Sequence, residues 1–256
     1  MLQTIRSKNP ILFWLGALHL AVFMLLLFYY PFNKIEVLGI NATIKPMKFA
    51  LSICVYSWTM AILLHFVNDF KKVKIYSWVA FIAMCFEQIA ITFQALQGQL
   101  SHFNKANLFG TILFSMMGVF ILTLTLWTAY ILYVFIKQKE YSIDPVIVLS
   151  IKLGMFFFVV FALFGGYISC LDGHTVNALD GSKGLFFLNW SREFGDLRIA
   201  HFFGIHALQI IPLFGFLLLK DKENKNAKTK VWIFSTLYFV FVLSTMIQAL
   251  LGKPFI

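Results

Sequence analysis

Residues 11–30 read ILFWLGALHLAVFMLLLFYY and contain no Asp, Glu, Lys or Arg. About 20 apolar residues in a helix cross the hydrocarbon core of a bilayer, so this stretch predicts a membrane span. Arg6 and Lys8 precede it, as basic residues precede the apolar part of a signal peptide. No small-residue cleavage site follows, however, and we therefore interpret the stretch as a retained first span.

The composition extends this conclusion to the whole chain. Of 256 residues, 60% are hydrophobic and 12% charged, with a mean hydropathy of +0.82. Soluble domains are about 45–50% apolar, so a water-soluble globule is excluded. Continuous apolar windows without apolar/polar alternation indicate helices rather than strands. Seven such windows lie near 11–31, 46–67, 75–96, 108–136, 145–169, 197–219 and 231–251. We predict an all-α polytopic membrane protein, a seven-transmembrane-helix bundle forming a single integral membrane domain over 1–256.

The basic residues predict the orientation of these spans. The net charge is +10, and 13 of the 21 Lys and Arg residues lie on the side of the N-terminus: 12 at the N-terminus or in the second, fourth and sixth loops, and Lys152 near the start of span 5. The positive-inside rule then predicts a cytoplasmic N-terminus and a C-terminus outside. In a membrane protein such an excess reflects topology and contact of the cytoplasmic Lys-rich loops with anionic lipids, so we predict no nucleic-acid partner. The run Lys220–Lys230 is either a lipid-headgroup site or an ordinary topology determinant. A homo-oligomer is left open.

Two similar segments suggest an internal repeat. Span 3 ends QALQG over 94–98, and span 7 ends QALLG over 248–252. This pattern predicts two three-helix units, spans 1–3 and 5–7, joined by span 4 as a 3+1+3 parallel repeat.

One carboxyl lies inside a predicted span, where ionisable groups are costly and mark candidate functional sites. Glu87 is half way along span 3, Gln94 shares its helix face, and Gln97 lies near the outer end. The stripe is either a polar path for protons or a polar substrate, with Glu87 as a candidate catalytic residue, or a packing device. In the second interpretation a protonated Glu87 shares hydrogen bonds with Gln88 or a neighbouring helix.

Span 6 contains two histidines, His201 and His206. A separation of five residues places them about 140° apart, so they are not the i, i+4 pair common in zinc sites. His206 shares a face with Gln209 and has the depth of Glu87 and of His19. It is the second candidate catalytic residue, provided that spans 1, 3 and 6 are neighbours.

A second candidate cluster lies at the predicted outer surface. A carboxylate with two histidines suits a catalytic metal that keeps an open position. The alternative for each histidine is a structural hydrogen bond. The cluster consists of His102, Asp196, Arg198 and His201. The candidate metal ligands are His102, Asp196 and His201 of this cluster, together with His206 from span 6.

Further polar residues on the outer side complete a candidate substrate-binding set. Lys45 and Lys48 lie at the mouth of span 2, where they either attract an anion or extend to lipid headgroups. The apolar patch over 185–190 either lies in the membrane interface or caps a pocket. The set is Gln94, Gln97, Lys45, Lys48, Arg198, Gln209 and Gln248.

Three stretches carry a resemblance to a group of proteins. They are IKPMKFALS over 44–52, SHFN over 101–104 and GDLRIAHFFGIHALQ over 195–209. In these the chain resembles an uncharacterised group of bacterial multi-pass, seven-helix inner-membrane proteins. The resemblance implies an inner-membrane location and no particular activity.

The sequence leaves three functional hypotheses open, and with them the question of enzyme activity. The first is an inner-membrane protein with a His/carboxylate site open to the outer face, binding a metal or heme and catalytic or redox-active. The second is a small-solute transporter or ligand sensor without a cofactor, using Glu87 in a polar path. The third is a structural or assembly subunit, in which these polar groups serve helix packing. The fold class does not decide among the three, because one helical scaffold hosts unrelated functions.

Overall fold

A computed structural model describes residues 2–105, 107–171, 173–181, 184–220 and 226–256. Over these residues the helices are α1 (Leu2–Lys8), α2 (Pro10–Tyr29), α3 (Ile44–Leu63), α4 (Phe70–Leu96), α5 (Leu108–Lys137), α6 (Pro145–Ser169), α7 (Leu197–Leu218) and α8 (Ala227–Leu250). Two short hairpins contain β1 (Glu36–Val37) with β2 (Ile40–Asn41), and β3 (Thr175–Val176) with β4 (Gly195–Asp196). Helices α2 to α8 are long and apolar enough to cross a membrane, which confirms the predicted all-α, seven-helix class. Lys222 and Lys225 of the predicted basic run lie outside the described residues.

Helix starts follow local capping chemistry. Asn9 precedes Pro10 and accepts a hydrogen bond from the Leu12 amide at 3.1 Å, and Asp144 accepts one from Val146 at 2.7 Å. These side chains satisfy amides that the first turn leaves unpaired. Helices α4 and α8 begin five and four residues before their predicted starts. Their first turns contain lysines, which lie outside any apolar window although the backbone is already helical.

The chain divides into two compact units. Unit 1 contains Met1–His65, Lys71–Leu124 and Gly184–Asn189, and therefore α1 to α4 with the first part of α5. Unit 2 contains Phe66–Phe70, Thr125–Lys183 and Trp190–Ile256, and therefore the rest of α5 with α6 to α8. Each unit thus has three long helices of its own. The single-domain organisation and the repeat symmetry stay predictions.

Unit 1 is held together by a small apolar core and by hydrogen bonds between helices. Asn9 donates to the Ser77 hydroxyl at 2.8 Å, and the Tyr56 and Tyr76 hydroxyls are hydrogen-bonded to each other. These contacts join α4 to the segments around α2 and α3. In the β1–β2 hairpin, Leu38 and Gly39 both have positive φ, the conformation of a tight two-residue turn.

Unit 2 packs α6 closely against α7. A Cβ added to Gly204 would lie 2.0 Å from Cγ of Phe161, and one added to Gly215 would lie 2.1 Å from Oγ of Ser150. Small residues of this kind allow membrane helices to approach each other. The rings of Phe157 and Phe161 in turn contact Phe239 of α8. The start of α7 and the end of α8 are also closely packed, because Gly195 lies against the backbone of Ala249.

Candidate functional site

The centre of the candidate site in unit 1 is the carboxyl of Glu87. It lies within α4, its residue is 2% exposed, and Oε1 has no hydrogen-bond partner among the described residues. Buried polar atoms in proteins are almost always hydrogen-bonded, and leaving one without a partner costs about 1–3 kcal/mol of folding free energy. Such an atom is a candidate for contact with a proton, a water molecule or a ligand.

Two more buried acceptors in unit 1 share this property. His19 on α2 donates from Nδ1 to the Leu15 carbonyl at 2.8 Å, so in a neutral ring Nε2 is an acceptor. The amide of Gln88 donates to the Pro46 carbonyl at 3.3 Å and to Thr92 at 3.0 Å. Nε2 of His19 and Oε1 of Gln88 have no hydrogen-bond partner within the part of the chain that is described.

A lysine supplies positive charge to the same unit. Nζ of Lys45, in the first turn of α3, lies 3.3 Å from Nδ1 of His102, and its charge acts on the carboxyl of Glu87. The His102 ring lies between Phe49 and Phe114, with ring centroids 5.8 and 5.6 Å away. The structure therefore associates three residues that the sequence analysis singled out on separate segments.

The two glutamines of the predicted stripe differ in their surroundings. Gln94 is buried, and its amide donates to the Leu100 carbonyl at 3.5 Å, which ties the end of α4 to the chain that follows. Gln97 is exposed at the end of α4. Gln94 thus lies inside unit 1 with Glu87, whereas Gln97 lies at its surface.

The second lysine of the set, Lys48, holds a loop segment in place. Its Nζ donates to the Leu188 carbonyl at 3.0 Å and to Oδ1 of Asn189 at 2.8 Å. Phe187 packs against the core residues Leu26, Ile44 and Met47. The segment 184–189 therefore packs against this end of unit 1, and its capping of a site stays a prediction. Sequence reasoning missed Asn189 as the partner of Lys48, because 141 positions separate the two residues.

In unit 2, Asp196 and Arg198 form a buried structural pair. The Asp196 side chain is fully buried and accepts from the amides of Ser191 at 2.9 Å and Arg198 at 3.0 Å. The guanidinium of Arg198 donates to the same carboxylate, with Nη2 2.6 Å from Oδ2. Asp196 is thus the N-cap of α7 and the anchor of the preceding loop.

The other predicted polar residues of unit 2 have local partners. His201 donates from Nδ1 to the Phe161 carbonyl at 2.8 Å. Nδ1 of His206 lies 3.2 Å from Oε1 of Gln209, and Gln248 donates to the Pro254 carbonyl at 2.5 Å. The hydrogen bonds of His201 and His206 match the structural alternative for these two histidines. They leave the catalytic and substrate-binding roles of His206, Gln209 and Gln248 as predictions.

A histidine in the loop after α6 is paired with an aspartate. Nδ1 of His174 lies 2.5 Å from Oδ2 of Asp180. Burial alone would raise the pKa of Asp180, but the hydrogen bond and charge of His174 outweigh burial and hold that pKa well below its usual range. Asp180 also accepts from Thr175 and organises the loop. Nothing local in the sequence marks this pair.

The candidate metal ligands do not form a three-residue group. Over the described residues, no three His, Cys, Asp or Glu side chains are arranged to hold a metal ion. His102 belongs to unit 1, whereas Asp196, His201 and His206 belong to unit 2. Metal or heme binding stays a prediction.

Comparisons of the chain with protein families, curated proteins and solved structures find no match. The class follows from the fold itself. The seven apolar helices define an integral, multi-pass membrane protein in contact with the lipid bilayer.

Proposed function

We propose that this protein is a small-solute transporter or ligand sensor that works without a cofactor, with the carboxyl of Glu87 at the centre of its site. The observation that carries the proposal is the buried Oε1 of Glu87, which has no hydrogen-bond partner among the described residues. An ionisable group at membrane depth is retained against a substantial cost and is a functional hypothesis by default.

The chemistry of the unpaired atoms indicates the class of solute. Oε1 of Glu87 and Oε1 of Gln88 are both acceptors. A solute that fits them presents hydrogen-bond donors, either hydroxyl or amine groups. The ammonium of Lys45 adds a place for an anionic or strongly polar group on the same solute. Small polar metabolites with both features are therefore the first compounds to test.

The kind of membrane that contains the protein and the orientation of the chain in it are part of this proposal. We place the protein in a bacterial inner membrane, with its N-terminus in the cytoplasm and Lys45 towards the outer face. The supporting observation is the distribution of basic residues, 13 of 21 on the predicted cytoplasmic side. Anionic lipids are then the natural neighbours of the cytoplasmic loops.

The metal or heme alternative has weaker support. Both oxygens of Asp196 accept hydrogen bonds from Arg198, and Nδ1 of His201 donates to a backbone carbonyl. Elemental analysis and oxidised and reduced absorption spectra of the purified protein test this alternative. Stoichiometric metal or a heme band that is lost in His201→Ala or His206→Ala would favour it over the proposed site.

Flux measurements in proteoliposomes test the transporter form of the proposal. Wild type, Glu87→Gln and Glu36→Gln are compared for uptake of hydroxylated and amino-group-bearing solutes. Glu36 is the matched control, since it is an exposed carboxyl of the same unit. The proposal predicts flux, or saturable binding without flux for a sensor, that only Glu87→Gln removes. Equal behaviour of the three proteins would overturn it.

A further inference from the structure

An open pocket of about 440 Å³ lies in unit 2, at the N-terminal ends of α6 and α8. Its lining comes from the segment before α6, from the first turns of α6 and from the start of α8. The lining residues are Tyr141, Ile143, Pro145, Val148, Leu149, Lys152, Lys228 and Trp232. We infer that this pocket binds a phosphate-bearing anion, with Lys152 and Lys228 as its cationic contacts.

The pocket combines two ammonium groups from different helices. Lys152 belongs to α6 and Lys228 to α8, and the described residues that line the pocket include no carboxylate. Asp144 lines an adjacent pocket of about 300 Å³. Its Oδ1 accepts a hydrogen bond from the Val146 amide, so this carboxylate is engaged in capping α6. The two charged side chains that line the 440 Å³ pocket are therefore both cationic.

Aromatic rings hold one of these ammonium groups in position. Nζ of Lys152 lies 4.8 Å from the centroid of Tyr141 and 5.9 Å from that of Phe135. Cation–π contacts orient an ammonium group without neutralising its charge. Lys152 occupies the eighth position of an apolar membrane helix, where a cation is costly unless it reaches water or an anion.

The start of α8 adds to the positive potential. Its N-cap residue, Asn226, makes no side-chain capping hydrogen bond in the described structure. Ala227, Lys228 and Thr229 line the adjacent pocket, so the amides of this first turn are beside the lysine site. The helix dipole favours phosphate and other anions at a helix N-terminus.

The remaining walls suit the glycerol and acyl region of a lipid. Val148 and Leu149 are apolar, and Trp232 and Tyr141 are residue types enriched where membrane meets water. Basic pockets at helix ends bind the headgroups of anionic lipids. A free phosphate shares the same oxyanion chemistry, and the experiment below separates the two sources. This site is independent of the proposed Glu87 function.

The test uses the full-length protein in mild detergent. Thermal unfolding is measured with mixed micelles of phosphatidylglycerol, with phosphatidylcholine, and with inorganic phosphate alone. The variants are Lys228→Gln and Lys152→Gln, and Lys230→Gln is the matched control, an exposed lysine of α8 that lines neither pocket. Lys228 is exposed, so its replacement leaves folding intact.

We expect phosphatidylglycerol to stabilise wild type and Lys230→Gln equally, and phosphatidylcholine to stabilise neither. The apparent affinity should fall about fivefold in Lys228→Gln, the contribution typical of one lysine near an anionic headgroup. Lys152→Gln should lose at least as much. If inorganic phosphate reproduces the pattern, the ligand is a free phosphate, which also supports the site. Equal stabilisation of Lys228→Gln and Lys230→Gln by both anions would overturn the inference.

Discussion

Nζ of Lys45 lies 3.3 Å from Nδ1 of His102, so the first turn of α3 is joined to the loop that follows α4. Unit 1 therefore contains both a positive charge near the first turn of α3 and a buried acceptor, Oε1 of Glu87, that has no hydrogen-bond partner among the described residues. This relationship makes unit 1 the stronger candidate for a polar solute site, and it can be tested apart from the contacts that only stabilise the fold.

Gly195 provides a test of the packing in unit 2. A Cβ at this position would lie 2.0 Å from the backbone oxygen of Ala249, and backbone cannot move aside as a flexible side chain can. We expect Gly195→Ala to lower stability by about 1–3 kcal/mol, the range for overpacking. Gly166→Ala is the control, since nothing lies within 4 Å of its added Cβ. Thermal unfolding of both variants should show a loss for Gly195→Ala alone.

Arg198 provides a test of the buried ion pair. Its removal leaves the fully buried carboxylate of Asp196 without its charged partner. Breaking a buried pair in this way typically costs about 3–5 kcal/mol, and the partial exposure of Arg198 favours the lower end. Arg192→Gln serves as the control because Arg192 is exposed in the same loop. If Arg198→Gln and Arg192→Gln unfolded at the same temperature, the pair would have no structural role.

The His174–Asp180 pair predicts a pH dependence with a definite sign. The pKa of Asp180 is lower in the folded protein than in the unfolded chain, so, while His174 is protonated, its stabilising contribution is complete above the unfolded value of about 4. The contribution declines as the pH falls from there towards the folded pKa. The difference in melting temperature between wild type and Asp180→Asn should therefore shrink below about pH 4. A difference that stayed constant from neutral to acidic pH would contradict this assignment.

The helices were largely predictable, because hydropathy over 20 or so residues depends only on local composition. The starts of α4 and α8 were predicted late, since Lys71 and Lys228 make their first turns polar. Glu87 could be singled out as a candidate from the sequence because it is a single carboxyl in an apolar run. The partners of the lysines could not be predicted: Asn189 reaches Lys48 from 141 residues away. Pairings of this kind are set by tertiary packing, and no local pattern of residues encodes them.

The most direct test of the proposed site is to compare how far a solute stabilises wild type and how far it stabilises Glu87→Gln. Without ligand, this variant should be as stable as wild type or more stable. Burying a neutral amide in an apolar surrounding costs less free energy than burying a carboxylate. The measurement is the melting temperature of wild type, Glu87→Gln and Glu36→Gln against a panel of hydroxylated and amino-group-bearing solutes. At a solute concentration of about 100 times the Kd, binding should raise the free energy of unfolding of wild type and Glu36→Gln by about 2.7 kcal/mol. It should leave that of Glu87→Gln almost unchanged. Equal stabilisation of all three proteins, or stabilisation by no solute of the panel, would contradict the account.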